Sequence, residues 1–222
     1  MKRFMLFAAL VLCSMAAVAQ EFQIMPDPGK KISYDVNAVT PMGVTKMYVT
    51  QTLEKTEDGK YIVTSSASTA EGVEGQKSSL TYSVADGEYV ISVKEVLEGQ
   101  LSQMGGNAEV LEATDLVYPL TLSENLELKP ATMRVKVNIQ GMDLDMTISI
   151  KDRKTGTTEE LVTPAGTFQC VKMTEKQVVS VMGQEQVSEV TYWYGKGVGL
   201  VKQATVAMGG MVSTELLLKK IE

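Results

Sequence analysis

The stretch MDLDMTISI, Met142 to Ile150, decides the fold. Met142, Leu144, Met146, Ile148 and Ile150 alternate with Asp143, Asp145, Thr147 and Ser149. Successive side chains of a strand point to opposite faces, so period two marks a half-buried β-strand. One face meets a core or cavity and the other meets water. Met133, Val135, Val137 and Ile139 alternate in the same way with Arg134, Lys136 and Asn138. So do Ile32, Tyr34, Val36 and Ala38 with Ser33, Asp35 and Asn37.

Turn signals separate such runs: Pro41-Met42-Gly43, Asp58-Gly59, Asp86-Gly87, Thr155-Gly156, Gly183-Gln184 and Gly209-Gly210. Glycine and aspartate tolerate the positive φ of tight hairpins. Runs and turns together predict strands near 31–39, 44–56, 60–70, 77–85, 88–96, 131–140, 142–153, 157–163, 167–181, 185–194, 199–207 and 211–220. Strands joined mostly by hairpins make an antiparallel meander, and full or partial closure removes its hazardous edges. The expected fold is therefore all-β: a large antiparallel meander forming a barrel or half-barrel, with one insert packed on or inside it. The insert is 97–130. Leu97, Leu101, Met104, Ala108 and Leu111 predict a helix within 97–112, weakened by Gly105-Gly106. Tyr118 to Leu122 reads as extended or looped.

At the N-terminus, Lys2 and Arg3 precede an apolar run from Phe4 to Leu12, and Ala17-Val18-Ala19 is a small-x-small cleavage site. The expected domains are a cleaved signal peptide, 1–19, and a single β domain, 20–222, with no transmembrane helix in the mature chain. Leu12 before Cys13 disfavours lipidation. Losing Lys2 and Arg3 leaves 19 basic against 27 acidic residues, a net charge of −8. That excludes nucleic acid as a natural partner and disfavours an anionic membrane. Cys170 is then the only thiol, in a strand-like run where burial is expected. The chain has no histidine, which removes Ser-His-Asp triads, Cys-His pairs and imidazole metal sites.

Two segments stand out. In the first, Arg153 and Glu159 flank Thr155-Gly156 and are expected to pair across a hairpin. Thr163, Pro164, Ala165, Gly166, Thr167 and Phe168 then form a tight turn into a strand, with Pro164 fixing φ and Gly166 supplying flexibility; if Gly166 needs positive φ, any Cβ there is strained. In the second, Thr191-Tyr192-Trp193-Tyr194-Gly195-Lys196-Gly197-Val198-Gly199 joins an aromatic strand to a glycine-rich corner. Its glycines lack the strand-to-helix context of a phosphate loop. Both corners are read as setting strand register, with the aromatics as core or as one pocket wall.

These segments, with GKKISY near the start and STELLLKKIE at the end, resemble the TapB-like family of exported bacterial proteins, a domain of unknown function. The resemblance covers nearly the whole mature chain. It implies a Gram-negative periplasm and a meander similar to YmcC-like folds or to the half-barrels of lipoprotein carriers. It brings no activity and no cofactor.

Methionine is plentiful, and thioethers bind Cu(I), yet Met142 and Met146 lie on the apolar side of a strand, where methionine fills core. Asp143 and Asp145 share one face, but no Asp-rich loop surrounds them to hold Ca²⁺. No catalytic, cofactor or metal residue is assigned, and an enzyme is not expected. The leading expectation is a periplasmic binding or carrier module for an apolar or amphipathic envelope ligand, with lipid as the guess. The alternative is an interaction protein for envelope or polysaccharide assembly, with a filled core.

Overall fold

The computed structural model describes residues 22–94, 107–139 and 142–222. Among the described residues, thirteen strands form one antiparallel sheet. Those before the insert are β1 (Lys31–Thr40), β2 (Gly43–Lys55), β3 (Tyr61–Ser68), β4 (Gln76–Ala85) and β5 (Glu88–Ile91). Next come β6 (Asn107–Ala113), β7 (Leu116–Pro119), β8 (Ala131–Ile139) and β9 (Met142–Thr163). The last are β10 (Gly166–Val181), β11 (Gln184–Gly195), β12 (Gly199–Ala207) and β13 (Val212–Ile221). Their order across the sheet is β6-β8-β9-β10-β11-β12-β13-β1-β2-β3-β4-β5-β7.

The edge strands β6 and β7 are consecutive in sequence, separated only by Thr114 and Asp115. Two residues cannot span a flat sheet of this width, so the sheet must curl until its edges approach. No ladder joins β6 to β7, and the result is a half-barrel rather than a closed barrel. Past Ala113 the β6–β8 pairing continues at Thr114, whose N–H donates to Thr132 O at 2.9 Å and whose Oγ1 accepts from Thr132 N at 2.7 Å.

Three sequence expectations need correction. The predicted helix within 97–112 falls partly on 95–106, outside the described residues, and the remainder is not helical. Asn107–Ala113 is β6, because pairing with β8 outweighs the weak helical period. The strand predicted at 88–96 is shorter, ending at Ile91. The turn predicted at Thr155-Gly156 does not exist. β9 runs through it as one strand of 22 residues, absorbing the irregularity in two β-bulges. Asp152 and Arg153 together oppose Glu175, and Gly156 and Thr157 together oppose Lys172. Asp152 takes φ 54° at the first bulge. Bulges bend a strand and re-aim side chains.

The reversal comes at Pro164 and Ala165, between Thr163 and Gly166. Thr163 Oγ1 donates to Gly166 O and accepts from Ala165 N, both at 3.1 Å, and Gly166 takes a positive φ of 133°. One apolar cluster beside this corner contains Ile32, Tyr34, Cys170, Val201 and Leu218, with Phe168, Leu161 and Trp193 against it. Cys170 has no exposed surface, and burial pushes its thiol up to about 11. At neutral pH it is almost entirely protonated, and the thiolate is the reactive form. A thiol reagent applied without denaturant should label it only at the rate of unfolding. Stoichiometric labelling within seconds would contradict the burial.

Candidate functional site

Antiparallel partners share a face, so the register places Val171, Met173 and Glu175 of β10 with Tyr194, Tyr192 and Val190 of β11. Leu53 and Val63 lie on the facing wall across β2 and β3. The segment between β7 and β8 straps this concave side to β9. Leu122 N donates to Phe22 O at 2.8 Å, Thr155 N to Leu126 O at 2.9 Å, and Leu128 N to Arg153 O at 2.9 Å. Thr155 Oγ1 donates to Ser123 O at 2.5 Å and accepts from Leu126 N at 2.7 Å.

On the concave side, between the N-terminal segment and the aromatic strands, lies a partly open cavity of roughly 290 Å³. Tyr34, Tyr82, Tyr118, Tyr192 and Tyr194 line it with Leu53, Val63, Leu80, Ile91 and Leu200, and Met25 and Pro26 add the N-terminal segment. Gln51 and Gln203 are polar among the lining residues. Tyr192 and Tyr194 stack at 5.8 Å. Burial pushes the phenols up, Tyr82 to about 12 and Tyr34, Tyr118, Tyr192 and Tyr194 further. For Tyr192 the neighbouring Glu175 carboxylate adds to the effect. All are neutral hydroxyls at physiological pH. Tyr34 donates to Leu200 O at 3.0 Å.

A wider groove of roughly 700 Å³ lies alongside, lined by Leu128, Pro130, Arg153, Thr174, Glu175 and Thr191 among others. Between the two sits a buried ionic cluster. Arg153 Nε donates to Glu175 Oε2 at 3.3 Å, both side chains being essentially unexposed. Arg153 Nη1 donates to Lys129 O at 2.6 Å and Val117 O at 3.1 Å, tying the strap and edge strand β7 to β9. The guanidinium lies 4.5 Å from the Tyr118 ring centroid, and Glu175 Oε1 accepts from Tyr192 OH and Gln177 Nε2, each at 2.9 Å. Arg153 Nη2 is buried without a hydrogen-bond partner. An unspent donor at such depth calls for an explanation.

The expected pair of Arg153 with Glu159 is thus overturned. With no turn at 155–156, each residue takes a partner on a different face. Arg153 faces inward to Glu175, while Glu159 accepts from the Trp193 indole on the other face. Lys172 and Lys202 stand over that indole ring at 5.7 and 5.3 Å. The two motif segments therefore meet through both faces of the sheet: inside through Glu175 and Tyr192, outside through Glu159 and Trp193. Tyr194 lines the cavity, and Thr163 to Phe168 form the adjacent corner.

Gly197 and Gly199 take φ 70° and 77°. At Gly199 a Cβ would lie 2.7 Å from Pro26 N and 2.8 Å from Met25 C. Its role is to admit the segment that walls the cavity. Sequence reasoning missed Glu175, although an acid in the apolar series Val171, Met173, Glu175 is a visible break in pattern. Among the described residues, no three of His, Cys, Asp or Glu converge to hold a metal. Asp145 is exposed, and Met146 packs beside the cluster of Met133, Val135 and Val137.

Strap, curled sheet and aromatic concave side define an all-β half-barrel with a small, partly open cavity. The chain belongs to the DUF3108-like family, whose model matches residues 29–218. No curated protein matches it by sequence. Its fold is similar to that of a Bacteroides fragilis protein described as exported and YmcC-like. The TM-score there is 0.60 and the identity 17%, over 91% of this chain and 99% of that one. It is also similar to a protein described as a lipoprotein from Parabacteroides distasonis, with a TM-score of 0.60 and 21% identity over 90% and 99% of the two chains. At these identities the likeness is one of fold. Among the described residues, no helix is long and apolar enough to cross a membrane.

Proposed function

We propose that this chain is a non-enzymatic binding module of the bacterial cell envelope, of the TapB-like kind, that takes up the apolar part of an amphipathic ligand. The carrying observation is the tyrosine-lined cavity of roughly 290 Å³. That volume sits at the low end of the about 300–1,000 Å³ of small-molecule sites. It suits one short acyl or cyclic apolar group, not a whole phospholipid. Neutral phenols around an aliphatic floor provide a largely apolar lining with a few polar groups, the usual composition of such sites. The reported export of fold relatives supports an envelope location.

The protein purified from its own envelope fraction should release a stoichiometric amphiphile on organic extraction, identified by mass spectrometry. A Val63→Phe variant, which narrows the cavity, should carry at least about tenfold less, a difference of about 1.4 kcal/mol in binding. Recovery of no amphiphile from the native protein, or equal recovery from the variant, would count against the reading.

A further inference from the structure

We infer that one end of the half-barrel docks on an electrically neutral lipid surface. This inference stands apart from the cavity. Antiparallel pairing sends the turns of β10-β11, β12-β13 and β1-β2 to the same end of the sheet, and these three hairpins are neighbours in it. Each turn presents methionine: Met182 in the first, Met208 and Met211 in the second, Met42 in the third. Met42 is 97% exposed, Met182 76% and Met211 60%, with Val44 beside them at 65%. Single exposed apolar residues are ordinary, but a row of them on adjacent tips is a patch.

The occupant follows from shape and charge. The tips carry no charged residue over 39–45, 181–184 and 206–214. The apolar side chains are divided among three separate tight turns, so a protein partner would need a matching pit for each turn. A lipid interface closes around each projection and gains from its burial. The chain is acidic, with net charge −6, which disfavours anionic headgroups and leaves zwitterionic ones.

The test is flotation with phosphatidylcholine–phosphatidylethanolamine vesicles, using the protein as its producing cells export it. The native protein should float with the vesicles. The triple variant Met42→Glu, Met182→Glu, Met211→Glu should bind about tenfold less or weaker still, a loss of about 1.4 kcal/mol or more. Met42→Glu alone, at a site open to solvent, should already reduce binding while leaving the circular dichroism spectrum intact. Val162→Glu, exposed at the opposite end, should bind as the native protein does. Failure of the native protein to float, or equal flotation of native and triple variant, overturns the inference. So does concentration-dependent self-association that the triple variant abolishes without any flotation, since the occupant would then be a second copy of this chain.

Discussion

Arg153→Ala is expected to lower the free energy of unfolding by about 3–5 kcal/mol, the usual cost of breaking one side of a buried pair. The substitution leaves the Glu175 carboxylate in the interior with only Tyr192 and Gln177 as donors. It also strands Lys129 O and Val117 O, so strap and edge strand lose their shared tie to β9. Arg153→Lys should recover little, because an ammonium lacks the planar fork that reaches a carboxylate and two carbonyls at once. Gly166→Val supplies a scale. Its positive φ costs a substituted residue about 1–3 kcal/mol, and a Cβ there finds the Phe168 ring only at 3.9 Å. Burial of Arg153 thus reverses the order that an exposed Arg153–Glu159 pair would have implied. Denaturant unfolding of the variants measures this, and a loss below about 1 kcal/mol for Arg153→Ala would be the behaviour of a surface pair.

Gly199→Ala should be comparably damaging, and for a different reason. Positive φ accounts for about 1–3 kcal/mol. The added methyl group then meets backbone atoms of Met25 and Pro26, which cannot swing aside as a side chain tip could. Relief requires the N-terminal segment to lift, uncovering the cavity and breaking the Leu122 N–Phe22 O and Gly29 N–Leu53 O bonds. Gly59→Ala is the comparison: φ is 81°, yet a Cβ there has open space. The two variants share backbone strain, so the excess loss at Gly199 reports the contact. Hydrogen exchange should show lost protection at Leu122 and Gly29 in Gly199→Ala alone. Equal stability losses in both variants would mean that the close approach has no energetic weight.

The meander was legible because alternation and turn chemistry agree along most of the chain. At Pro41-Met42-Gly43, Asp86-Gly87 and Gly183-Gln184 the turns occur where the sequence places them. Residues 152–157 defeated the same reasoning. Lys154-Thr155-Gly156 looks like a turn locally, but pairing along β10 is long enough to carry β9 through, with bulges in place of a reversal. Each bulge shifts parity by one, so Arg153 and Thr155 turn inward although the even-numbered residues of 142–150 are the apolar ones. A shift of parity inside a strand has no local signature, and the Arg153–Glu175 pair was hidden with it. The function of Gly199 was equally invisible, since it depends on a segment more than 170 residues away in the chain. The cavity arises from where five tyrosines converge, and only Tyr192 and Tyr194 are neighbours in sequence.

The most direct test of the central claim is NMR of tyrosine rings and methyl groups during titration with octyl glucoside, a neutral amphiphile, below its micelle concentration. The account predicts saturable shifts at Tyr82, Tyr118, Tyr192, Tyr194, Met25 and Leu53, weakened in Val63→Phe. Unchanged spectra for these residues, or shifts confined to the methionines of the hairpin tips, would contradict it.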